Sequence, residues 1–204
     1  ELIDQLQVVM DGAFQPSHPG ALAHLDPPPL TASIAADLIC AGLNNNLLAE
    51  ELSPSLSSLE REICKWFADS LGLPENSAGV AASGGSLSNL MALVTARNQA
   101  GLKEDPNAIV LASADSHVSL LKATRIMGLK EDALKLIPVD YLGRVSIERI
   151  KETLDFYKKK DRKCFAVVAT AGTTTRGAID PLDEIANLCL LENIWLHVDA
   201  VIGG

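Results

Sequence analysis

The chain has 204 residues, of which 48% are apolar, 21% are charged and 4% are aromatic, and its formal net charge is −9. This apolar content excludes a disordered chain, and the acidic balance argues against a nucleic-acid-binding protein that neutralises phosphates. The longest apolar runs fall far short of the roughly 20 residues that span a bilayer, so no membrane association is expected. Four widely and irregularly spaced cysteines predict neither a disulfide framework nor a metal site, and favour a cytoplasmic location.

Residues 1–74 form a predicted helical segment. Apolar residues at helical spacing begin at Leu2, and a proline-rich connection follows over residues 15–29. Pro54 suits the first turn of a helix, and the apolar spacing from Leu56 to Leu71 predicts that this helix is amphipathic.

Residues 75–204 alternate between predicted strands and helices, which indicates an α/β fold with a mostly parallel sheet covered on both faces. The expected strands are 79–82, 108–112, 135–139, 165–170 and 194–198. The expected helices are 86–99, with Leu87, Leu90, Met91 and Val94 on one face, then 117–127, one capped by Ser146 and one capped by Asp180.

Polar clusters follow four of these strands, at the positions where open α/β sheets bind ligands. In residues 82–86, two glycines precede a helix start, a pattern that suits a phosphate or carboxylate cradle and a tight structural turn about equally. This segment has neither the lysine of a P-loop nor the glycine spacing of a dinucleotide-binding fingerprint.

The other three clusters carry an imidazole, hydroxyls and a carboxylate. His117 at a helix start could stack on a flat ligand or act as an acid or base, although a bystander histidine beside a cap is the more frequent arrangement. The threonines of residues 170–175 could bind a ligand or simply end a strand, and Asp199 could pair with a protonated ring nitrogen or with loop amides. Together the four clusters match the groups that bind pyridoxal 5′-phosphate.

The sequence resembles the pyridoxal-phosphate-dependent group II amino-acid decarboxylases, which act on glutamate, aromatic L-amino acids or L-2,4-diaminobutyrate. Motifs along nearly the whole chain carry the resemblance, in the family's order and at similar separations. They are His18-Pro19, Ser53-Pro54 with Leu59-Glu60, residues 83–90, Ser116-His117, residues 170–174 with Gly177 and Asp180-Pro181, and residues 195–200.

The resemblance implies an aspartate-aminotransferase-like (fold type I) large domain and assigns roles to individual residues. Gly85 and Ser86 would hold the cofactor phosphate, and His117 would stack on the pyridine ring. Thr174 would hydrogen-bond near the ring oxygen or the substrate, and Asp199 would pair with the ring nitrogen. Val201 would pack near the ring, at a site where the family usually has an alanine followed by an aromatic residue.

The resemblance also implies that the chain is the N-terminal part of a longer enzyme. The family's Schiff-base lysine follows a histidine well downstream of the motif that holds Asp199, whereas this sequence ends five residues after Asp199. The expected products of the intact enzyme are CO₂ and an amine, and the 204 residues alone are expected to be inactive.

Three further expectations concern the partners and the chemistry. The family resemblance implies a homodimer in which the N-terminal helices wrap the partner. Residues 47–52 lack aromatic side chains, which favours L-2,4-diaminobutyrate or glutamate as the small-molecule substrate over an aromatic amino acid. The alternatives are another fold type I enzyme (an aminotransferase, desulfurase or lyase) and a lysine-less, non-catalytic homologue that acts as a dimer partner.

Overall fold

A computed structural model of the protein describes residues 1–22 and 27–204. These residues divide into two compact units, 1–63 and 64–204. The proline-rich connection predicted at 15–29 forms neither helix nor strand where it is described, and its residues 23–26 lie outside the described part. The domain boundary predicted after residue 74 stays a prediction.

The first unit is helical, as its apolar spacing predicts. It contains α1 (Leu2–Asp11), α2 (Thr31–Leu43), a short 3-10 helix (Glu50–Leu52) and the start of α3 (Pro54–Ser70). Neither α1 nor α2 buries any of its residues. Helix α3 begins at Pro54 because a proline fits the first turn, where its missing N–H has no intrahelical partner.

The second unit contains a parallel β-sheet covered by helices on both faces, which confirms the predicted fold class. Among the described residues the strands lie in the order β2-β1-β3-β4. The strands are β1 (Ile109–Ser113), β2 (Leu134–Ile137), β3 (Cys164–Thr170) and β4 (Trp195–Asp199). The helices are α4 (Gly85–Gln99), α5 (Ser119–Ile126), α6 (Ile147–Lys158) and α7 (Leu182–Glu192).

Two hydrophobic layers hold this unit together, one on each face of the sheet. The layer with α4 and α5 includes Leu93, Leu120 and Phe165, and the layer with α6 and α7 includes Ile150 and Ile185. The central strands β1 and β3 contribute to both layers, which explains their continuous apolar sequences. Among the described residues, no helix is both long and apolar enough to cross a membrane.

The sheet brings distant parts of the sequence together at the carboxyl ends of its strands. Thr170 at the end of β3 is in register with Asp199 at the end of β4, and Val168 is in register with both Ala112 and His197. The loops that follow β1, β3 and β4 therefore meet at one edge, where parallel sheets bind their ligands.

Three expectations about individual elements are wrong. Residues 79–82 do not form a strand: Val80 is 62% exposed, and the segment lies outside the four-stranded sheet. Of the face predicted for α4, Leu90 packs against the core, but Leu87 and Met91 are exposed, and the buried residues of the helix are Asn89, Leu93, Ala96 and Arg97. The cap position of α7 is Pro181, because the Asp180 carboxylate bonds to other backbone amides. By contrast, Ser146 caps α6 as predicted and accepts a hydrogen bond from the Arg149 amide.

Candidate active site at the carboxyl edge of the sheet

Asp199 is the last residue of β4 and is 7% exposed. Its Oδ2 accepts a hydrogen bond from Nδ2 of Asn89 at 2.9 Å, and its Oδ1 accepts one from the Val201 amide at 3.3 Å. Burying a carboxylate is costly unless hydrogen bonds or an opposite charge compensate. Two neutral donors compensate only in part, so the site suits a ligand that brings a cationic N–H group.

Asn89 connects Asp199 to two histidines. It is 3% exposed, on the side of α4 that faces the sheet. The same Nδ2 that bonds Asp199 also donates to Oγ of Ser119 at 2.9 Å. On the other side of the amide, Oδ1 of Asn89 lies 2.7 Å from Nε2 of His197. All the polar atoms of this buried amide are therefore used.

His117 lies just before α5, two residues ahead of the first helical residue Ser119. Its side chain is exposed, and its Nδ1 is 2.9 Å from Oγ of Ser119. The backbone amide of Ser119 also donates to this nitrogen at 3.2 Å. One edge of the ring is thus anchored, while its exposure leaves it accessible to a flat ligand.

Gly85 and Val201 place the start of α4 against the turn that follows β4. Helix α4 begins at Gly85, where a Cβ atom would lie only 2.8 Å from Cγ2 of Val201. A glycine is therefore required here for the two segments to approach this closely. The first amides of a helix have no intrahelical acceptor, so the exposed start of α4 at Gly85-Ser86 suits an anion such as a phosphate.

Thr174 lies on an exposed turn after β3. Its neighbour Thr173 is buried and accepts a hydrogen bond from the Ala178 amide at 3.1 Å, which closes the turn. An ion pair of 3.2 Å between Arg176 and Asp115 joins the turn to the loop that follows β1. Thr174 is thus at the correct edge of the sheet, but in the described part of the chain it makes no hydrogen bond to the other candidate residues.

Asp180 holds the end of β3 in place. Its carboxylate is 3% exposed and accepts backbone hydrogen bonds from Val145 at 3.0 Å and from Thr170 at 2.9 Å. Burial raises the pKa of Asp180, and these two amide bonds act in the opposite direction. Because Thr170 is the register partner of Asp199, Asp180 supports the site without belonging to it.

Two polar groups beside Asp199 complete the site. Burial lowers the pKa of His197, while the nearby Asp199 carboxylate acts to raise it. Oγ1 of Thr170 is buried and has no hydrogen-bond partner in the part of the chain that the structure describes. An unpaired buried hydroxyl next to a carboxylate marks a place where a ligand or a further segment could supply the missing bond.

Four of the predicted residues gather into one connected group, and Thr174 stays outside it. His117 and Asp199 are linked through Ser119 and Asn89, and Val201 connects Asp199 to Gly85. No role is predicted from the sequence for Asn89, Ser119 or His197. The hydrophobic pattern of α4 gives no signal for Asn89, because it points to the face with Leu87 and not to the side where Asn89 lies with Leu93 and Ala96.

Comparison with known proteins agrees with this geometry. The family model described as "Pyridoxal-dependent decarboxylase conserved domain" matches residues 2–204. An L-2,4-diaminobutyrate decarboxylase of Rhizobium meliloti (strain 1021) is 38% identical over 195 residues, which cover 96% of this chain and 39% of that protein. An aromatic-L-amino-acid decarboxylase of Bacillus atrophaeus is 36% identical over 187 residues, which cover 91% of this chain and 39% of that protein.

A solved structure is similar over the whole chain. It is the glutamate decarboxylase domain of diaminobutyrate-pyruvate transaminase and L-2,4-diaminobutyrate decarboxylase from Vibrio parahaemolyticus. It matches with a TM-score of 0.94 and 32% sequence identity, covering 100% of this chain and 47% of that chain. The chain therefore spans less than half the length of each of these three proteins.

Proposed function

The chain belongs to the pyridoxal-dependent decarboxylase family, and on that premise we propose that the full-length protein is a pyridoxal-phosphate-dependent L-amino-acid decarboxylase. The observation that carries the proposal is the buried Asp199 carboxylate at the end of β4, whose hydrogen-bond donors among the described residues are both neutral, so a cationic N–H partner would stabilise it.

The residues present fit pyridoxal phosphate on three counts. The helix start at half-buried Gly85 and exposed Ser86 suits a phosphate, because the first amides of α4 have no intrahelical acceptor. The exposed imidazole of His117 suits the face of an aromatic ring. Asp199 suits the ring nitrogen, because a buried carboxylate is stabilised by a protonated partner.

Each residue then has a defined task. Bound pyridoxal phosphate supplies the electron sink that accepts the electron pair left when the substrate loses CO₂. Asp199 holds a proton on the ring nitrogen by keeping a negative charge beside it, and His117 fixes the plane of the ring. Ser86 and the amides at the start of α4 would bind the phosphate, Val201 would pack near the ring, and Thr174 would hydrogen-bond from the turn after β3.

The proposed substrate is an amino acid with a short charged side chain, L-2,4-diaminobutyrate or glutamate. The names of the Rhizobium and Vibrio proteins support this choice, since both include L-2,4-diaminobutyrate decarboxylase. The exposed apolar residues of α1 and α2 support a homodimer, because a face of this kind is usually covered by a partner.

A decarboxylation assay on the full-length protein tests the proposal. With added pyridoxal phosphate, we expect CO₂ release from L-2,4-diaminobutyrate or glutamate to exceed that from tyrosine or dopa. Asp199→Asn removes the negative charge and is expected to reduce kcat about 10²–10³-fold, the loss typical of a preorganised electrostatic contact. The matched control is Asp183→Asn, which removes an exposed carboxylate in the first turn of α7 and is expected to leave kcat unchanged.

The assay also separates the alternatives. Transfer of the amino group to a keto acid without CO₂ release would assign the protein to the aminotransferases. A full-length protein that binds no pyridoxal phosphate, and shows no absorbance change on titration with it, would favour the non-catalytic homologue. Faster turnover of tyrosine or dopa would contradict the proposed substrate class.

A further inference from the structure

Asn89 is the only described side chain that hydrogen-bonds both to Asp199 and to a histidine, and its bonds determine where the protons of the site lie. A carboxylate only accepts hydrogen bonds, so the group of Asn89 that faces Asp199 must be its NH₂. The orientation of the amide is therefore set by Asp199, and the oxygen Oδ1 necessarily points at His197.

This orientation fixes His197. Oδ1 of Asn89 can only accept, and Nε2 of His197 is 2.7 Å from it, so this nitrogen carries a hydrogen. The neutral amide also separates the imidazole of His197 from the carboxylate of Asp199, two residues further along β4. The hydrogen on Nε2 of His197 is therefore bonded to Asn89 and not to Asp199, and the Asp199 carboxylate can accept a hydrogen bond from a ligand.

The same amide acts on His117 through Ser119. The second hydrogen of Nδ2 goes to Oγ of Ser119, so the serine hydroxyl is free to donate its own hydrogen to Nδ1 of His117. The Ser119 amide also donates to this nitrogen. With two donors directed at it, Nδ1 of His117 is unprotonated, and a neutral ring carries its hydrogen on Nε2.

We propose that Asn89 is a positioning residue that keeps a hydrogen on Nε2 of His197, leaves Nδ1 of His117 unprotonated through Ser119, and turns Asp199 toward the cofactor ring. This inference rests on the proposed function, because it concerns the same site. Its physical benefit is clear: a neutral imidazole can stack on a protonated pyridine ring, whereas an imidazolium would repel it.

The test measures the ring nitrogens directly, in the apo form of the full-length protein. With ¹⁵N-labelled histidine, long-range proton–nitrogen correlation spectra distinguish a protonated ring nitrogen from an unprotonated one, and single His→Gln variants assign the signals. The wild-type protein is expected to show the Nε2-protonated form for both His117 and His197. Asn89→Leu is expected to move both rings toward the mixture of forms found in free histidine.

A matched substitution on the same helix provides the control. Asn98 is exposed near the end of α4, so Asn98→Leu makes the same chemical change away from the site and should leave both rings as in wild type. A folded Asn89→Leu protein in which either ring keeps its wild-type shifts would overturn the proposal. The same applies if Asn98→Leu produces an equal change.

If Asn89→Leu fails to fold, Asn89→Ala removes the same amide with a shorter side chain. His197 then loses the acceptor of its Nε2 hydrogen, and we expect its ring to move toward the mixture of forms found in free histidine, with Asn98→Ala as the control. Unchanged His197 shifts in the Asn89→Ala protein would contradict the proposal.

Cofactor titration gives an independent measurement. Asn89 donates a hydrogen bond to the Asp199 carboxylate, which is the proposed partner of the cofactor's ring nitrogen. Asn89→Leu is therefore expected to weaken the affinity for pyridoxal phosphate roughly 10- to 100-fold. An affinity equal to that of wild type would count against the proposal. Failure of the decarboxylation assay would refute the proposed function but would leave the ring-nitrogen result in the apo protein unaffected, so the two failures are distinguishable.

Discussion

Asp180→Ala is expected to destabilise the protein more than removal of an exposed carboxylate from the same region. The carboxylate is 3% exposed and is the acceptor for two buried backbone amides, those of Val145 and Thr170, at 3.0 and 2.9 Å. An unsatisfied buried donor costs about 1–3 kcal/mol, so the loss of both acceptors should lower the free energy of unfolding by about 2–6 kcal/mol. Asp180→Asn keeps one acceptor oxygen and should cost about half as much.

Urea unfolding of the full-length protein, followed by circular dichroism, measures this difference. The matched control is Asp183→Asn, which changes an exposed carboxylate in the first turn of α7 and should cost only about 0.3–1 kcal/mol through the helix dipole. The reasoning is refuted if the free energy of unfolding of Asp180→Ala lies within about 1 kcal/mol of the wild-type value, because about 1 kcal/mol is the lower limit for the loss of a single acceptor. It is equally refuted if Asp180→Asn and Asp183→Asn have the same effect.

Three other predictions follow from close approach and from pKa shifts. Gly85→Ala places a Cβ 2.8 Å from Val201, so its free energy of unfolding, measured by thermal unfolding, should be about 1–3 kcal/mol lower than that of wild type. Adding Val201→Ala should restore the stability. A Gly85→Ala protein as stable as wild type would contradict this prediction. Burial raises the pKa of Cys164 to about 12, so iodoacetamide at pH 8 should label this thiol only after denaturation. Mass spectrometry measures the labelling. Labelling of Cys164 as fast in the native protein as in the denatured protein would disprove the prediction. Burial lowers the pKa of His197, so the folded state binds fewer protons than the unfolded chain, in which a histidine has a pKa of about 6.5. The free energy of unfolding should therefore fall as the pH is lowered from about 7 to about 5. Chemical unfolding at several pH values measures this dependence, which His197→Gln should weaken.

The sequence predicts the α/β alternation of residues 108–199 well, because here local and tertiary preferences agree. Strand β3 is apolar throughout and lies in the middle of the sheet, where both faces are buried. Asp199 stands out in the sequence because a carboxylate directly after an apolar strand requires a partner. Ser146 stands out because a serine before a helix is a strong cap.

The buried side of α4 could not be identified from hydrophobicity, because two of its four buried residues are polar. Asn89 and Arg97 lie on this side with Leu93 and Ala96, so the hydrophobic pattern pointed to a different face. The polar residues are there because tertiary partners satisfy them: Asn89 bonds Asp199, and Arg97 donates to the Met127 carbonyl at 3.0 Å. Sequence spacing carries no information about such partners.

Asp180 shows the same limit at a helix start. An aspartate before a proline is typical of a cap, and the sequence offers no reason to expect another role. In the structure its carboxylate reaches amides 10 and 35 residues away in the chain. The chain after β3 folds back on itself through the bridge between Ala171 and Ile179, and the segment at Val145 packs beside it, which brings those amides within reach.

The hydrogen bond between Asn89 and Asp199 also has a consequence for the order of events during synthesis. The two residues are 110 positions apart, and at typical translation rates the ribosome needs on the order of 5–20 s to add the intervening chain. During that time α4 can form, but Asn89 has no carboxylate to orient it and the histidine of β4 does not yet exist. The nascent protein therefore passes through a stage in which α4 is already made while the buried Asn89 amide still lacks both of its partners on β4, Asp199 and His197.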